Sequence, residues 1–566
     1  MASYTDWNQA LIDYFISGVA RGTKVYINVD EDVIEHIGYN FIDSSSADNN
    51  WVDDFNSAVR RKVIIDGQVD LQRLKERNSQ GFPQGLAFLC ASVLAASRMG
   101  EEEKISEKDY FQRLREILTL PGFHRPPGMK NGSEAEEPLW KEWNFWLMEQ
   151  GFLPSAQQGK STPNKYINYP ISQCLLRRTD KDKLRQLFHD KKWKAQWDDQ
   201  TLSVYIRKEI KNLSKHLQNL LTENRQRYAA VIEAIHQVYE QWQAQGCPSA
   251  DKFNYRTLSS HLFSGLYRIE NPFLGQVDYY LYPKQQRGKR LETLTIQLDA
   301  HHEKIIEERP GWYYPLTYQI NAKDLEKGNK LAIIEPNNLD YLILPQRDFW
   351  ILIPDPENPE SGVYASWGIP ELGTKFIILC KQELLKDIQR LKDENLLQWT
   401  GEPERLFTNS DWVELQQCMV ISPAWDGVFI ENQALKDALQ PSSGLSIILS
   451  GGLRVPKIGA WLIDYQPEIT IFAFYPKVNL QIIRLSDNCK IIENSQATNT
   501  PIKLNFSYSS DYLIEAIVAN ESNQRLIKIV DWSDIELENT YTFQITPISS
   551  NYRICGTLIQ ENLSKL

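Results

Sequence analysis

A chain of 566 residues is too long for one hydrophobic core, and 42% apolar with 24% charged residues is the composition of an ordinary globular protein with several domains. A net charge of −11 argues against a chain that grips polyanions over its whole surface. The seven cysteines are widely spaced, odd in number and never arranged as C-x-x-C, which argues against a disulfide framework or zinc ribbon and for reduced thiols.

Residues 1–155 predict a helical domain with one short strand. The N-terminus has no basic region followed by an apolar core, so no secretory signal is expected and the chain reads as cytoplasmic. Asp6 is placed to cap a helix carrying Trp7, Leu11, Ile12 and Phe15, which stops before Gly18. Lys24–Val29 alternates like a short strand, and Asp30 then caps another helix. Trp51–Ile64 is amphipathic through Trp51, Phe55, Val59 and Val63. Gly85–Met99 is apolar on every side and belongs at the centre of the domain. Its core, Gly85–Ser97, is too short to span a bilayer, so no membrane association is expected. Ser106 and Asp109 form an acidic capping box ahead of a helix with Tyr110, Phe111, Leu114, Ile117 and Leu118. A Pro/Gly-rich loop over 121–132 leads to a helix over Glu137–Gln150. That helix carries Trp140, Trp143 and Trp146 and closes on Gly151.

Residues 156–246 predict a basic helical unit. Thr179 or Asp180 caps a helix through Leu184, Leu187 and Phe188. Thr201–Gln245 then contains neither Gly nor Pro. Its apolar residues recur at Ile206, Ile210, Leu213, Leu217 and Leu220, then at Tyr228, Val231, Ile235, Val238 and Trp242. Steps of four and three keep one helix face on a partner, and one slip of phase falls near Asn224. The pattern predicts a long amphipathic central helix or two abutting ones.

Residues 247–440 read as a mixed α/β domain rich in strands. The strands are expected at Val277–Tyr282, Thr293–Leu298, Tyr314–Ile320, Tyr341–Leu344, Phe349–Ile353 and Lys375–Leu379, with a helix at Gln382–Lys392. Residues 441–566 carry short β-prone runs separated by polar residues and Pro. The runs are Ile469–Tyr475, Val478–Leu485, Ile502–Tyr508, Tyr512–Ala519, Arg525–Trp532 and Tyr541–Thr546, the pattern of an antiparallel immunoglobulin-like β-sandwich. The expected fold class is therefore multidomain α+β: a helical N-terminal half, the central helix, a mixed middle domain and the C-terminal sandwich.

The motifs that resemble chemistry fail on context. Gly159-Lys160-Ser161 ends like a phosphate-binding loop, but Pro154 stands where the first Gly belongs and Pro163 interrupts the helix that must follow. Gly451-Gly452 reads as a turn between strands, since no helix opens behind it. His301 and His302 are adjacent and would point to opposite faces of a strand, so they cannot share a metal. His189, Lys191 and Asp198 imitate a nuclease signature at the wrong interval. There is no G-x-S-x-G elbow. We expect no catalytic residues, no metal and no cofactor.

Charge distribution is the one anomaly. Leu175–Arg227 holds 14 basic and seven acidic residues, which leaves −18 on the rest of the chain. The candidate binding residues are Arg177, Arg178, Lys191, Lys192, Lys194, Lys208, Lys211 and Lys215, with Trp193 and Trp197 interleaved. Such a face is first of all what a solvated helix surface looks like; it also suits an acidic protein surface, including the chain's own other domains, or a nucleic-acid backbone.

The segments WNQALIDYF (7–15), KVYINVDEDVI (24–34), YFQRLREIL (110–118) and PLWKEWNFWLMEQGFLP (138–154) resemble large bacterial proteins encoded alongside phage-defence and DNA-processing genes. The resemblance implies a cytoplasmic role in a bacterial multi-component system and carries no catalytic residues across. The expected function is a non-catalytic recognition or scaffold subunit that docks other protein subunits through its Trp-rich helices and basic face. The alternatives are a nuclease or protease with a site in the middle domain, and nucleic-acid binding through 175–227.

Overall fold

The computed structural model describes residues 1–42, 50–99, 107–129, 136–156, 167–222, 225–248, 260–270, 276–284, 291–298, 301–309, 312–355, 361–408, 410–455, 458–518, 521–535, 541–545 and 556–560. The chain forms two compact units, Met1–Ser260 with Gln285–Glu292 and His261–Lys284 with Thr293–Leu566. The first is helical and the second is built mainly of sheets, so the molecule is a mixed α+β, multidomain protein.

The helical unit begins with α1 (Tyr4–Ile16), α2 (Glu31–Phe41), α3 (Trp51–Val63), α4 (Leu86–Ser97), α5 (Glu107–Leu118), α6 (Glu137–Glu149) and α7 (Asn168–Gln173). All twelve residues of α4 are buried, because a helix with no polar face has to be wrapped on every side. Around it, Trp7 packs edge-on against Trp51 and Phe55, and its indole N–H donates to Asp54 Oδ1 at 2.8 Å. Ser3, one turn before the expected Asp6, caps α1, and Asp6 closes the capping box from the third helical position. Asp30 caps α2 as expected, accepting from the Val33 amide. The capping box at Ser106 lies outside the described residues.

Lys24–Val29 is not a strand. It makes a single bridge, Lys24 to Leu153, and side chains meet two of its other backbone groups, with Ser155 Oγ donating to the Val25 carbonyl. The Ile27 amide donates to Gln173 Oε1, and Asn28 Oδ1 accepts from the amides of Leu175 and Leu176. Here the alternation reports a segment buried between helices, with side chains in place of a neighbouring strand.

The long helix, or two abutting ones, expected over Thr201–Gln245 is interrupted among the described residues. After α8 (Arg178–Asp190) come α9 (Asp199–Lys208), a short 3-10 turn at Ile210–Asn212, α10 (Lys215–Thr222) and α11 (Arg225–Ala244). Leu213 is extended, and Ser214 Oγ accepts from the Leu217 amide at 3.1 Å, so Ser214 opens a new helix. Every apolar position of the expected stripe except Ile210 is still buried. The periodicity is kept because α11 packs on α8, α9 and α10.

In the second unit the organising strand is His261–Glu270, within a sheet of thirteen strands. It pairs antiparallel with Val277–Pro283 and Val363–Ala365, and parallel with Tyr341–Leu344. The expected strand at Tyr314–Ile320 is irregular: Gln319 bridges Tyr280, and the Leu316 amide donates to the Leu281 carbonyl at 2.7 Å, without a continuous ladder. One face of the sheet, through Phe376, Ile378, Cys380, Val413 and Leu415, packs on the helices Leu385–Asp393 and Gln433–Leu439. Toward the C-terminus, a three-stranded sheet contributes Ile447 and Ile471 to the same core as Leu480, Ile514 and Ile527 of an eight-stranded sheet. Two parallel pairings, Ala460–Leu462 with Glu521–Val530 and Leu453–Val455 with Gly556–Gln560, depart from the wholly antiparallel sandwich expected. Of the run Ile502–Tyr508 only Ile502 and Lys503 are strand, as part of Pro501–Lys503. Among the described residues no helix is long and apolar enough to cross a membrane.

Candidate functional site

The basic stretch is divided by the helical phase of α8. Arg178, Lys181 and Arg185 are spaced by three and four, so they share one face. That face lies against the acidic trio at the start of α2. Lys181 Nζ is 2.5 Å from Asp30 Oδ2 and 3.8 Å from Asp32, Arg185 pairs with Asp32, and Arg178 meets Glu31 at 2.8 Å. Arg98 reaches the same Glu31 from the end of α4. Lys181 and Arg185 are buried. Burial pushes the Asp30 carboxyl above its ordinary range, and the Lys181 ammonium pulls it back. Taking either partner away would leave a buried charge uncompensated, so these cations act as an internal clamp.

The other half of the stretch follows the end of α8 and remains outside. Lys191, Lys192, Lys194, Lys208, Lys211 and Lys215 are exposed, as is Arg178, while Arg177 is half-buried. Lys191 Nζ bridges to Glu209 at 2.5 Å, joining the C-terminal ends of α8 and α9, and this hydrogen bond holds the Glu209 carboxyl below its ordinary range. Lys208 lies over the Tyr205 ring at 5.2 Å. Lys192, Lys194, Lys211 and Lys215 have no ion-pair partner among the described residues. Lys191 and Lys192, just past the C-terminal end of α8, also complement its dipole.

The loop bearing Lys191, Lys192 and Lys194 is fixed from beneath. Trp193 stacks on Phe188, and Trp197 stacks with Tyr205 and with Tyr239, with ring centroids at 3.9 and 5.7 Å. From α11, Tyr239 Oη and Gln243 Nε2 both donate to the Ala195 carbonyl, and His236 Nε2 donates to the Trp197 carbonyl. Lys192 itself has φ +56, at the position where a helix-ending motif usually places Gly. The amides of Lys192 and Trp193 donate back to His189 and Phe188, completing that motif.

The nuclease-like set falls apart in space. Asp198 is buried as the cap of α9, accepting from Thr201, whereas His189 is exposed beside Asp190. Ser214, Asp180 and His216 do cluster, but Ser214 donates to Asp180 directly and His216 lies 3.9 Å from that same carboxylate. A nucleophile needs the imidazole between hydroxyl and acid, so this group caps and pins α10. The six described cysteines are free, and burial pushes the thiols of Cys174 and Cys380 up to about 12, away from thiolate chemistry. Gly159-Lys160-Ser161 lies outside the described residues. Gly451 and Gly452 form the expected turn, both with positive φ. No group of three His, Cys, Asp or Glu suited to a metal exists among the described residues.

In the middle of the second unit, Arg268 Nη2 pairs with Glu414 Oε1 at 3.0 Å, and Tyr279 donates to the same carboxylate. The strands of Arg268 and Glu414 are four steps apart in the sheet. At about 4.8 Å per step a flat sheet would hold them roughly 19 Å apart, beyond the reach of the two side chains. The sheet therefore curls until its concave face closes on this pair. Arg268 is 1% and Glu414 4% exposed, so the pair fastens the curl out of reach of a substrate.

Sequence reading alone missed the clamp. Its signal was present as D-E-D at 30–32 facing cations at 178, 181 and 185, which a count of charges does not separate from solvated lysines. The Trp-rich α6 was read as a docking element, but Trp140, Trp143 and Trp146 are at most 1% exposed and form the core. No protein-family model matches the chain. A search of the curated proteins finds no relative.

Proposed function

We propose that the chain is a non-catalytic recognition or scaffold subunit of a bacterial multi-protein assembly, of the antiviral-defence kind, working in the cytoplasm with other protein subunits as its partners. The observation that carries this reading is the exposed lysine surface at the converging ends of α8 and α9, held over a stacked aromatic base. Rigid scaffolds that present charged loops are the usual architecture of recognition surfaces. The C-terminal pair of sheets, read as an immunoglobulin-like module, supplies a second surface through exposed Phe474 and Tyr475.

The test is chemical cross-linking of the tagged full chain in its native cells, followed by sizing of the purified species. A stable assembly larger than the 65.7 kDa chain, with cross-links from the lysines of 191–215, is expected. A lone chain without cross-links, or metal-dependent cleavage of nucleic acid or peptide by the purified protein, would overturn the reading.

A further inference from the structure

We infer that the loop Lys191–Asp198 is the contact point of this surface, and that it receives an acidic polypeptide segment of a partner protein; the inference rests on the recognition reading above. The first argument is rigidity. Two tryptophan pegs and three side-chain hydrogen bonds from α11 hold a loop of eight residues, more than an exposed connection needs for stability alone. A pre-ordered loop loses little conformational entropy when a partner docks.

The second argument is Lys192. Its left-handed backbone is one that Gly adopts freely and a lysine adopts at a cost. Local strain kept at an exposed residue is a pointer to function. Here it falls on exposed Lys192, beside Lys191 and two residues before Lys194.

The third argument selects the partner. Recognition of single-stranded nucleic acid relies on free aromatic faces for bases to stack on. Trp197 is already stacked with Tyr205 and Tyr239, Lys208 lies over the Tyr205 ring, and Trp193 is buried. The lysines are also interrupted by the carboxylates of Asp190 and Glu209. A duplex, with one phosphate charge for about every 1.7 Å of axis, would be forced against those carboxylates. An acidic polypeptide can place its side chains on the lysines and neutral residues between them.

The experiment measures fluorescence anisotropy of the full chain with a labelled peptide of alternating Glu and Gly, and separately with single-stranded and duplex DNA oligonucleotides. The inference expects salt-sensitive peptide binding that weakens by at least about tenfold in the triple variant Lys191→Glu, Lys192→Glu, Lys194→Glu. It also expects Lys192→Gly to weaken binding while leaving the unfolding midpoint unchanged or raised, which separates loss of contact from loss of fold. Peptide binding that is absent or indifferent to these substitutions, or an oligonucleotide bound more tightly than the peptide through the same lysines, would overturn it. If the native assembly forms but survives the triple variant, the loop assignment falls and the recognition reading stands. A chain that never assembles removes both.

Discussion

Lys181 and Lys192 lie on the same short basic stretch yet belong to different regimes of electrostatics. Lys181 is buried between two carboxylates, while Lys192 stands in solvent at the end of the same helix. In the clamp, desolvation sets the stakes, and each charge is tolerable only because its partner is present. In the loop, water screens every cation, so the lysines contribute little to folding and remain available to another molecule. A charge count of the sequence merges the two; the phase of the helix separates them.

The contrast breaks most directly at the clamp. Lys181→Met leaves Asp30 buried without its ammonium partner and should destabilise the helical unit by about 3–5 kcal/mol. Lys194→Met should change it by no more than about 0.5 kcal/mol. Urea unfolding followed by tryptophan fluorescence measures both, and equal effects would erase the distinction. Glu136, beside α6, sharpens the same point, because it makes no ion pair among the described residues. Burial pushes its carboxyl up to about 7 against the pull of the Trp140 indole N–H and Arg125. A folded-state value above the ordinary 4.5 means that the folded protein binds the proton more tightly. This stabilisation is therefore complete below pH 4.5 and is lost as pH rises through about 7. The decline should be at most about 3 kcal/mol, and Glu136→Gln should flatten it.

What the sequence disclosed follows from which forces are local. Helix periodicity and caps are local, so α3, α4 and α6 and the cap at Asp30 were readable, as was the division into a helical half and a sheet-rich half. The break at Ser214 was hidden because the apolar stripe continues from α9 into α10, and both helices pack on α11. Strand His261–Glu270, the centre of the large sheet, was overlooked. It carries polar Arg268 and Glu270 where alternation leads one to expect a solvated face, and Arg268 is instead enclosed by the curl of the sheet. The basic stretch was identifiable as a group; which of its cations turn inward, Lys181 and Arg185, depended on Asp30 and Asp32, about 150 residues away.

Within the loop the effects become smaller. Tyr239→Phe removes one of two donors to the Ala195 carbonyl and should cost about 1 kcal/mol. The loss should appear first as faster hydrogen exchange at 193–198. Neighbouring glycine substitutions then test the backbone itself. Lys191 has φ −81, ordinary helical geometry, so Lys191→Gly adds freedom to the unfolded chain and removes the Glu209 bridge; it should cost about 0.5–1 kcal/mol. One residue on, Lys192→Gly relieves a left-handed lysine and should stabilise by up to about 1 kcal/mol. Opposite signs at adjacent lysines, read from thermal unfolding, would show that Lys192 holds its place against the preference of the fold. Matching signs would mean that the turn is relaxed and that Lys192 carries no stored strain.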